Sequence, residues 1–189
     1  MAETPSTMLP LGTIAPAFTL LDTRTHQPAS LEQTKSSIAT VIMFICNHCP
    51  YVKHIQKKLV EMVKKYQAQG IHFIAINAND VTLYPDDSPE KMQKEAETAG
   101  YTFPYLYDET QAVAKAYHAA CTPDLYVFDK NLKCVYRGRF DSATPRNNQP
   151  VTGNELSQAL DNILAGKPVN PNQFPSLGCN IKWKRSVAF

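Results

Sequence analysis

The stretch IATVIMFICNHCPYVKHIQKKLVEMVKKYQAQGIHFIAI, residues 38–76, decides the fold. Ile38 to Ile45 is an almost continuous apolar run, rich in β-branched residues, which suits a central strand buried on both faces. It ends at Cys46. From Pro50 the period changes: Val52, Ile55, Leu59, Met62, Val63 and Tyr66 mark one face of an amphipathic helix, with Lys53, Lys57, Lys58, Lys64 and Lys65 mostly off that face. Gly70 stops the helix. Ile71 to Ile76 reads as a second buried strand. A strand, a crossover helix and a second strand form a βαβ unit, which is right-handed and makes its two strands parallel.

Working outward toward the C-terminus, Asn77 to Pro89 is polar and carries two prolines, which gives a long loop. Ser88-Pro89-Glu90 has the form of an N-cap with proline at the first helical position, opening a helix that runs to Ala99 before Gly100. A short helix is expected over Gln111 to His118. Leu125 to Phe128 and Cys134 to Arg137 read as strands joined through Asp129-Lys130-Asn131, so this end of the sheet is antiparallel. Glu155 to Leu164 is the last helix, ended by Gly166-Lys167-Pro168. Toward the N-terminus, Phe18 to Leu21 and Gln27 to Leu31 pair as a hairpin behind an extended arm. The expected organisation is α/β: an arm over residues 1–17, one domain over 18–168 with a mixed central sheet flanked by helices, and a tail over 169–189 that packs on the domain.

With 189 residues, 43% hydrophobic and 19% charged, the chain has the material for one compact core. A formal charge of +2 is far from the concentrated positive field that nucleic acid or a membrane surface requires. The longest uninterrupted apolar stretch is Val41 to Cys46, against the roughly 20 residues that cross a bilayer. The N-terminus shows neither a basic nor an apolar signal region, so a cytoplasmic location is expected. No cofactor is implied.

Five cysteines, Cys46, Cys49, Cys121, Cys134 and Cys179, do not suit a structural disulfide framework in a reducing compartment. The close pair Cys46-Asn47-His48-Cys49 points instead to redox chemistry or metal binding. Where a strand stops and a helix begins, unpaired backbone N–H groups and the helix dipole favour a thiolate, so Cys46 is the expected nucleophile. Cys49 lies three residues before Val52 on the inward stripe, shielded and within disulfide reach, and is the expected resolving thiol. A protonated His48 would further stabilise the Cys46 thiolate, and Pro50 fixes the helix start without losing a needed N–H. A zinc site would need further ligands, and no second C-x-x-C or clustered His-x-x-His is present, so no metal is assigned.

Strand, C-x-x-C, helix and a later Thr122-Pro123 before a strand together resemble the thioredoxin superfamily. More narrowly, the segments 47–54, Asn77-Ala78-Asn79-Asp80, Cys121-Thr122-Pro123-Asp124, Tyr136-Arg137-Gly138, Pro150-Val151-Thr152-Gly153 and the tail Gly178 to Lys184 are similar to its peroxiredoxin-like branch. The resemblance covers roughly residues 9 to 184 and implies a thioredoxin-like fold, with Thr122 and Pro123 forming a cis-proline loop against the redox pair that positions substrate. Two departures matter. True peroxiredoxins carry Pro-x-x-x-Thr/Ser-x-x-Cys and a peroxide-polarising arginine; aligned on Cys49, this chain has Ile42 and Cys46 at the first two positions, and no arginine between Arg24 and Arg137. Ile45 stands where thioredoxins carry tryptophan.

The expected function is thiol-disulfide exchange through Cys46 and Cys49 with protein or low-molecular-weight thiols and disulfides, with no nucleic-acid or membrane partner. The alternatives are a peroxiredoxin-like thiol peroxidase and, further off, a non-enzymatic module holding a metal through Cys46, Cys49 and Cys179. Cys121, two residues before Pro123, and Cys179, in a tail whose Ile181 and Trp183 should dock on the body, are candidate auxiliary thiols. Cys134 is expected in the core. Asn79, Asp80 and Asp87 are expected as solvated loop polarity.

Overall fold

A computed structural model describes residues 3–185. Its main sheet has seven strands in the order β3-β2-β6-β5-β4-β8-β9: β2 Thr19–Asp22, β3 Gln27–Ser30, β4 Ala39–Phe44, β5 His72–Asn77, β6 Tyr105–Tyr107, β8 Asp124–Asp129 and β9 Cys134–Gly138. β4 and β5 are parallel, with Val41 opposite Phe73 and Phe44 opposite Ile76. β5 and β6 are also parallel, whereas β8 runs antiparallel to β4 and β9 to β8. The sheet is therefore mixed, with its parallel strands in the middle.

Every residue of β4 is buried. Val41 and Met43 project into one core and Ile42 and Phe44 into the other, so the unbroken apolar run serves two layers at once. The first layer is built by α2 (Pro50–Gln67), α3 (Pro89–Ala99) and α5 (Asn154–Leu164). The second is built by Leu31 of the short α1 (Leu31–Thr34) and Ala114 of α4 (Ala112–Ala116), with Phe18 and Tyr117 beside them. Each fully buried aliphatic side chain contributes about 1.5–3 kcal/mol, which is what holds these helices on the sheet.

Helix ends follow local chemistry. Ser88 caps α3 by accepting from the Lys91 N–H at 3.4 Å, Pro89 takes the first helical position, and Gly100 closes the helix with φ +71°. After α2, Gly70 turns the chain with φ +85° to launch β5.

The sequence shows no strand at Tyr105–Tyr107. Three residues behind Pro104 are too few to display a period, yet β6 pairs with β2 and β5 and makes α3 the crossover of a second βαβ unit. The arm and tail also differ from expectation. Glu3–Pro5 (β1) and Leu177–Asn180 (β10) are strands, and together with Cys121–Thr122 (β7) they form a second sheet in the order β1-β10-β7. Beyond β10, Ile181 is buried, while Trp183 stays half exposed under the Lys115 ammonium.

No helix among the described residues is long and apolar enough to cross a membrane.

Candidate active site

β4 delivers the chain to Cys46, and α2 starts at Pro50, so the four residues Cys46 to Cys49 form the turn between them. The helix N-cap is Cys49, not Cys46. Cys46 was expected at that position; because Pro50 fixes the first helical residue, Cys46 lies a further three residues upstream. Both sulfurs are nearly shut off from solvent, Cys46 at 2% exposure and Cys49 at 0%.

Thr122 organises the pair. Its hydroxyl lies 3.5 Å from Cys46 Sγ, and its carbonyl oxygen 3.1 Å from Cys49 Sγ. The Thr122–Pro123 peptide bond is cis. β10 runs directly over this bond: a Cβ on Gly178 would stand 2.1 Å from Thr122 O, so only glycine permits the approach. The next residue, Cys179, pairs with Thr122 across the ladder and packs in the same apolar cluster as Cys46 and Cys49. At 4% exposure it is buried as well.

Hydrogen bonds from the thiols of Cys46 and Cys179 and from the Thr122 hydroxyl converge on Cys49 and bring it down to about 5 against the cost of burial. The Val52 N–H adds a smaller pull, its alignment short of a capping hydrogen bond. The 3.1 Å contact to the Thr122 carbonyl opposes this, since a carbonyl only accepts and would keep the proton on Cys49. Several donors outweigh that single acceptor. Cys46 is pushed well up by the shared hydrogen bond with Cys49, by burial and by the Asp87 charge. Cys179 is pushed up to about 12 by burial and by its bond to Cys49. These shifts favour the negative charge on Cys49, whereas the sequence points to a Cys46 thiolate; the neighbours that lower Cys49 and raise Cys46 are the reason for the difference.

His48 faces Asp87 rather than acting as a free cation beside Cys46. Its Nδ1 lies 2.7 Å from Asp87 Oδ2, a close ion-pair contact whose alignment falls short of a hydrogen bond, and its ring stacks on Tyr84 with centroids 5.5 Å apart. Asp87 raises the His48 pKa. Burial pushes Asp87 up, but His48, the Asn79 amide and the Asn47 N–H together hold it below the usual carboxylate range.

Asp87 is the residue that sequence reasoning missed. Asn79, Asp80 and Asp87 were expected to be solvated; all three are buried. Asp87 accepts from Asn47 N at 2.8 Å and Asn79 Nδ2 at 2.7 Å, and Asn79 Oδ1 accepts from Lys182 N of the tail at 2.8 Å. From β6, Tyr105 donates to Asn47 Oδ1 at 2.9 Å. The available signal was that the segments 77–80 and 178–184 both stood out in the family resemblance; nothing in their spacing said that they touch.

The other candidates fall away from the sulfurs. The Cys121 thiol bonds to Pro123 O at 3.7 Å, and burial pushes its pKa far up. Cys134 lies in the second core layer. Arg137 donates to Leu9 O and Gln173 Oε1, and Arg139 to Glu155, so neither serves the pair. Cys46, His48 and Asp87 offer one sulfur, one nitrogen and one oxygen within 4.8 Å of one another, donor kinds that zinc accepts. The His48–Asp87 contact would have to open to admit an ion.

An apolar cleft of about 310 Å³ lies beside the cis bond, lined by Tyr51, Ile55, Pro123, Phe140 and Phe174 among others.

Comparison with known proteins agrees with this architecture. The chain is 26% identical over 128 residues, 68% of each protein, to the thiol-disulfide oxidoreductase ResA of Geobacillus kaustophilus (strain HTA426). It is 57% identical to an uncharacterized conserved protein from Geobacillus kaustophilus of known crystal structure, with a TM-score of 0.97 over 99% of both chains. The thioredoxin domain of a Bacteroides vulgatus thiol-disulfide oxidoreductase shares the fold, with a TM-score of 0.58 at 19% identity over 68% of this chain and 88% of that one. The AhpC/TSA family model matches residues 11–137, and the chain belongs to that family of thioredoxin-fold proteins.

Proposed function

We propose that the protein is a thiol-disulfide oxidoreductase whose working pair is Cys46 and Cys49. The observation that carries this reading is the placing of two cysteines at the β4–α2 junction with Thr122 contacting both sulfurs. Cys46, the first cysteine of the pair, whose sulfur lies 3.5 Å from the Thr122 hydroxyl, is the one that attacks a partner disulfide. As it does so its proton passes to the Cys49 thiolate, so Cys49 acts first as base. One partner sulfur leaves as thiolate and takes that proton from Cys49. Cys49 then attacks Cys46 Sγ, closing the Cys46–Cys49 disulfide and releasing the second partner sulfur. One disulfide is reduced and one is formed, and the single negative charge leaves with the product.

The partners fitting this site are protein or low-molecular-weight thiols and disulfides in a compartment that keeps thiols reduced. The cleft beside Pro123 offers an apolar surface for the residues around a protein cysteine.

The test is a pair of variants. Cys46→Ser should lower turnover of a small disulfide substrate by roughly three orders of magnitude. Cys49→Ser should accumulate a mixed disulfide through Cys46, visible by intact-mass spectrometry. A Cys49→Ser protein that traps nothing, beside a Cys46→Ser protein that traps substrate on Cys49, would reverse the roles.

A further inference from the structure

We propose that Cys179 is a third redox thiol, exchanging with the Cys46–Cys49 disulfide to give a Cys49–Cys179 disulfide and a free Cys46. The proposal rests on the reading of Cys46 and Cys49 just given and extends it to the second sheet.

The geometry singles out Cys179 among the three remaining cysteines. It lies in one apolar cluster with both cysteines of the pair and stands opposite Thr122, whose hydroxyl and carbonyl meet their sulfurs, and its thiol helps lower Cys49. Its strand is clamped on both sides, by β1 through Glu3 and by β7 through Thr122, the same residue whose hydroxyl and carbonyl meet Cys46 and Cys49. Gly178, with no room for a Cβ, is what lets β10 come this close. Cys121 neighbours the site in sequence, but its thiol is committed to the Pro123 carbonyl. Cys134 sits in the other core layer.

The step balances without an outside oxidant. The Cys179 sulfur attacks Cys49 Sγ, the Cys49–Cys179 bond forms, and the Cys46–Cys49 bond breaks with Cys46 as leaving thiolate. The proton given up by Cys179 goes to Cys46, where the Thr122 hydroxyl, 3.5 Å away, can solvate the departing sulfur. The protein stays oxidised by the same two electrons throughout. What changes is that Cys46 becomes a free nucleophile while the oxidising equivalent moves to Cys179 and ties β10 to the start of α2. An oxidised protein in this form can still take up a thiol-reactive partner at Cys46.

Disulfide mapping of the full chain tests this. Wild-type protein is equilibrated in a graded redox buffer, alkylated under acid quench and digested. The expected result is a Cys46–Cys49 linkage together with a fraction carrying Cys49–Cys179 and alkylated Cys46. Oxidised Cys46→Ser should lose the Cys49 and Cys179 thiols together, joined to each other. If wild type shows only Cys46–Cys49, and oxidised Cys46→Ser keeps both Cys49 and Cys179 free, the proposal is wrong while the parent reading stands. No Cys46–Cys49 linkage at any potential would overturn the parent reading instead, and a Cys49–Cys179 bond in Cys46→Ser would still identify the third thiol.

Discussion

Asp87 holds the charge balance around the two sulfurs. Its carboxylate is wholly buried, pairs with His48, and adds its field to the neighbouring Cys49 and the burial that push Cys46 up. His48 has a raised pKa, so its share of the ion-pair stability is complete below the ordinary histidine range and is lost as pH rises through the raised value. Asp87 has a lowered pKa, so its share is present above the ordinary carboxylate value and is lost as pH falls through the lowered one. The contact therefore stabilises the fold most in the weakly acidic range. Asp87→Asn should cost about 1–3 kcal/mol there, the cost of leaving buried hydrogen-bond partners unmatched. The loss should shrink at alkaline pH, where His48 is neutral. Urea denaturation at the two pH values decides it, and an equal loss at both would show that the His48 charge does not matter.

At the scale of elements, β10 brings Cys179 opposite Thr122, and its approach to β7 depends on Gly178. Gly178→Ala places a methyl 2.1 Å from the Thr122 carbonyl oxygen, a backbone atom that cannot rotate away. We expect a destabilisation of about 1–3 kcal/mol from overpacking. Faster amide exchange at Ile181, whose N–H is bonded to Ala120 O, should accompany it, with α3 unaffected. Unchanged exchange along the tail would mean that the strand absorbs the methyl without moving. The helices show the opposite case, in which the determinants are local. Ser88, Pro89 and Gly100 bound α3 at the residues where their chemistry places the ends, and the six-residue apolar stripe of α2 faces the sheet as its spacing requires. For these elements the fold was legible because capping and amphipathic period act within a few residues of chain.

Across the whole molecule four arginines bond to groups away from the sulfurs. Arg24 bonds to Phe103 O, Arg137 to Leu9 O and Gln173, Arg139 to Glu155, and Arg146 pairs with Glu3. The peroxidase alternative needs a guanidinium at the reactive thiol, and these four are committed elsewhere. Sulfenic acid formation with hydrogen peroxide should therefore stay within about tenfold of free cysteine at matched thiolate fraction. A stopped-flow rate several orders of magnitude higher would restore the peroxidase reading. The sequence by itself determined the βαβ unit, the two-layered burial of β4, the ends of the longer helices and the adjacency of Cys46 and Cys49, because each follows from residues close together along the chain. Only the tertiary structure decided that Asp87 is buried against His48, that β1 and β10 pair at opposite ends of the chain, and that Cys179 lies opposite Thr122. Those contacts join residues 39 to 176 positions apart, and no periodicity or spacing in a sequence encodes which distant edge a three- or four-residue strand will complete.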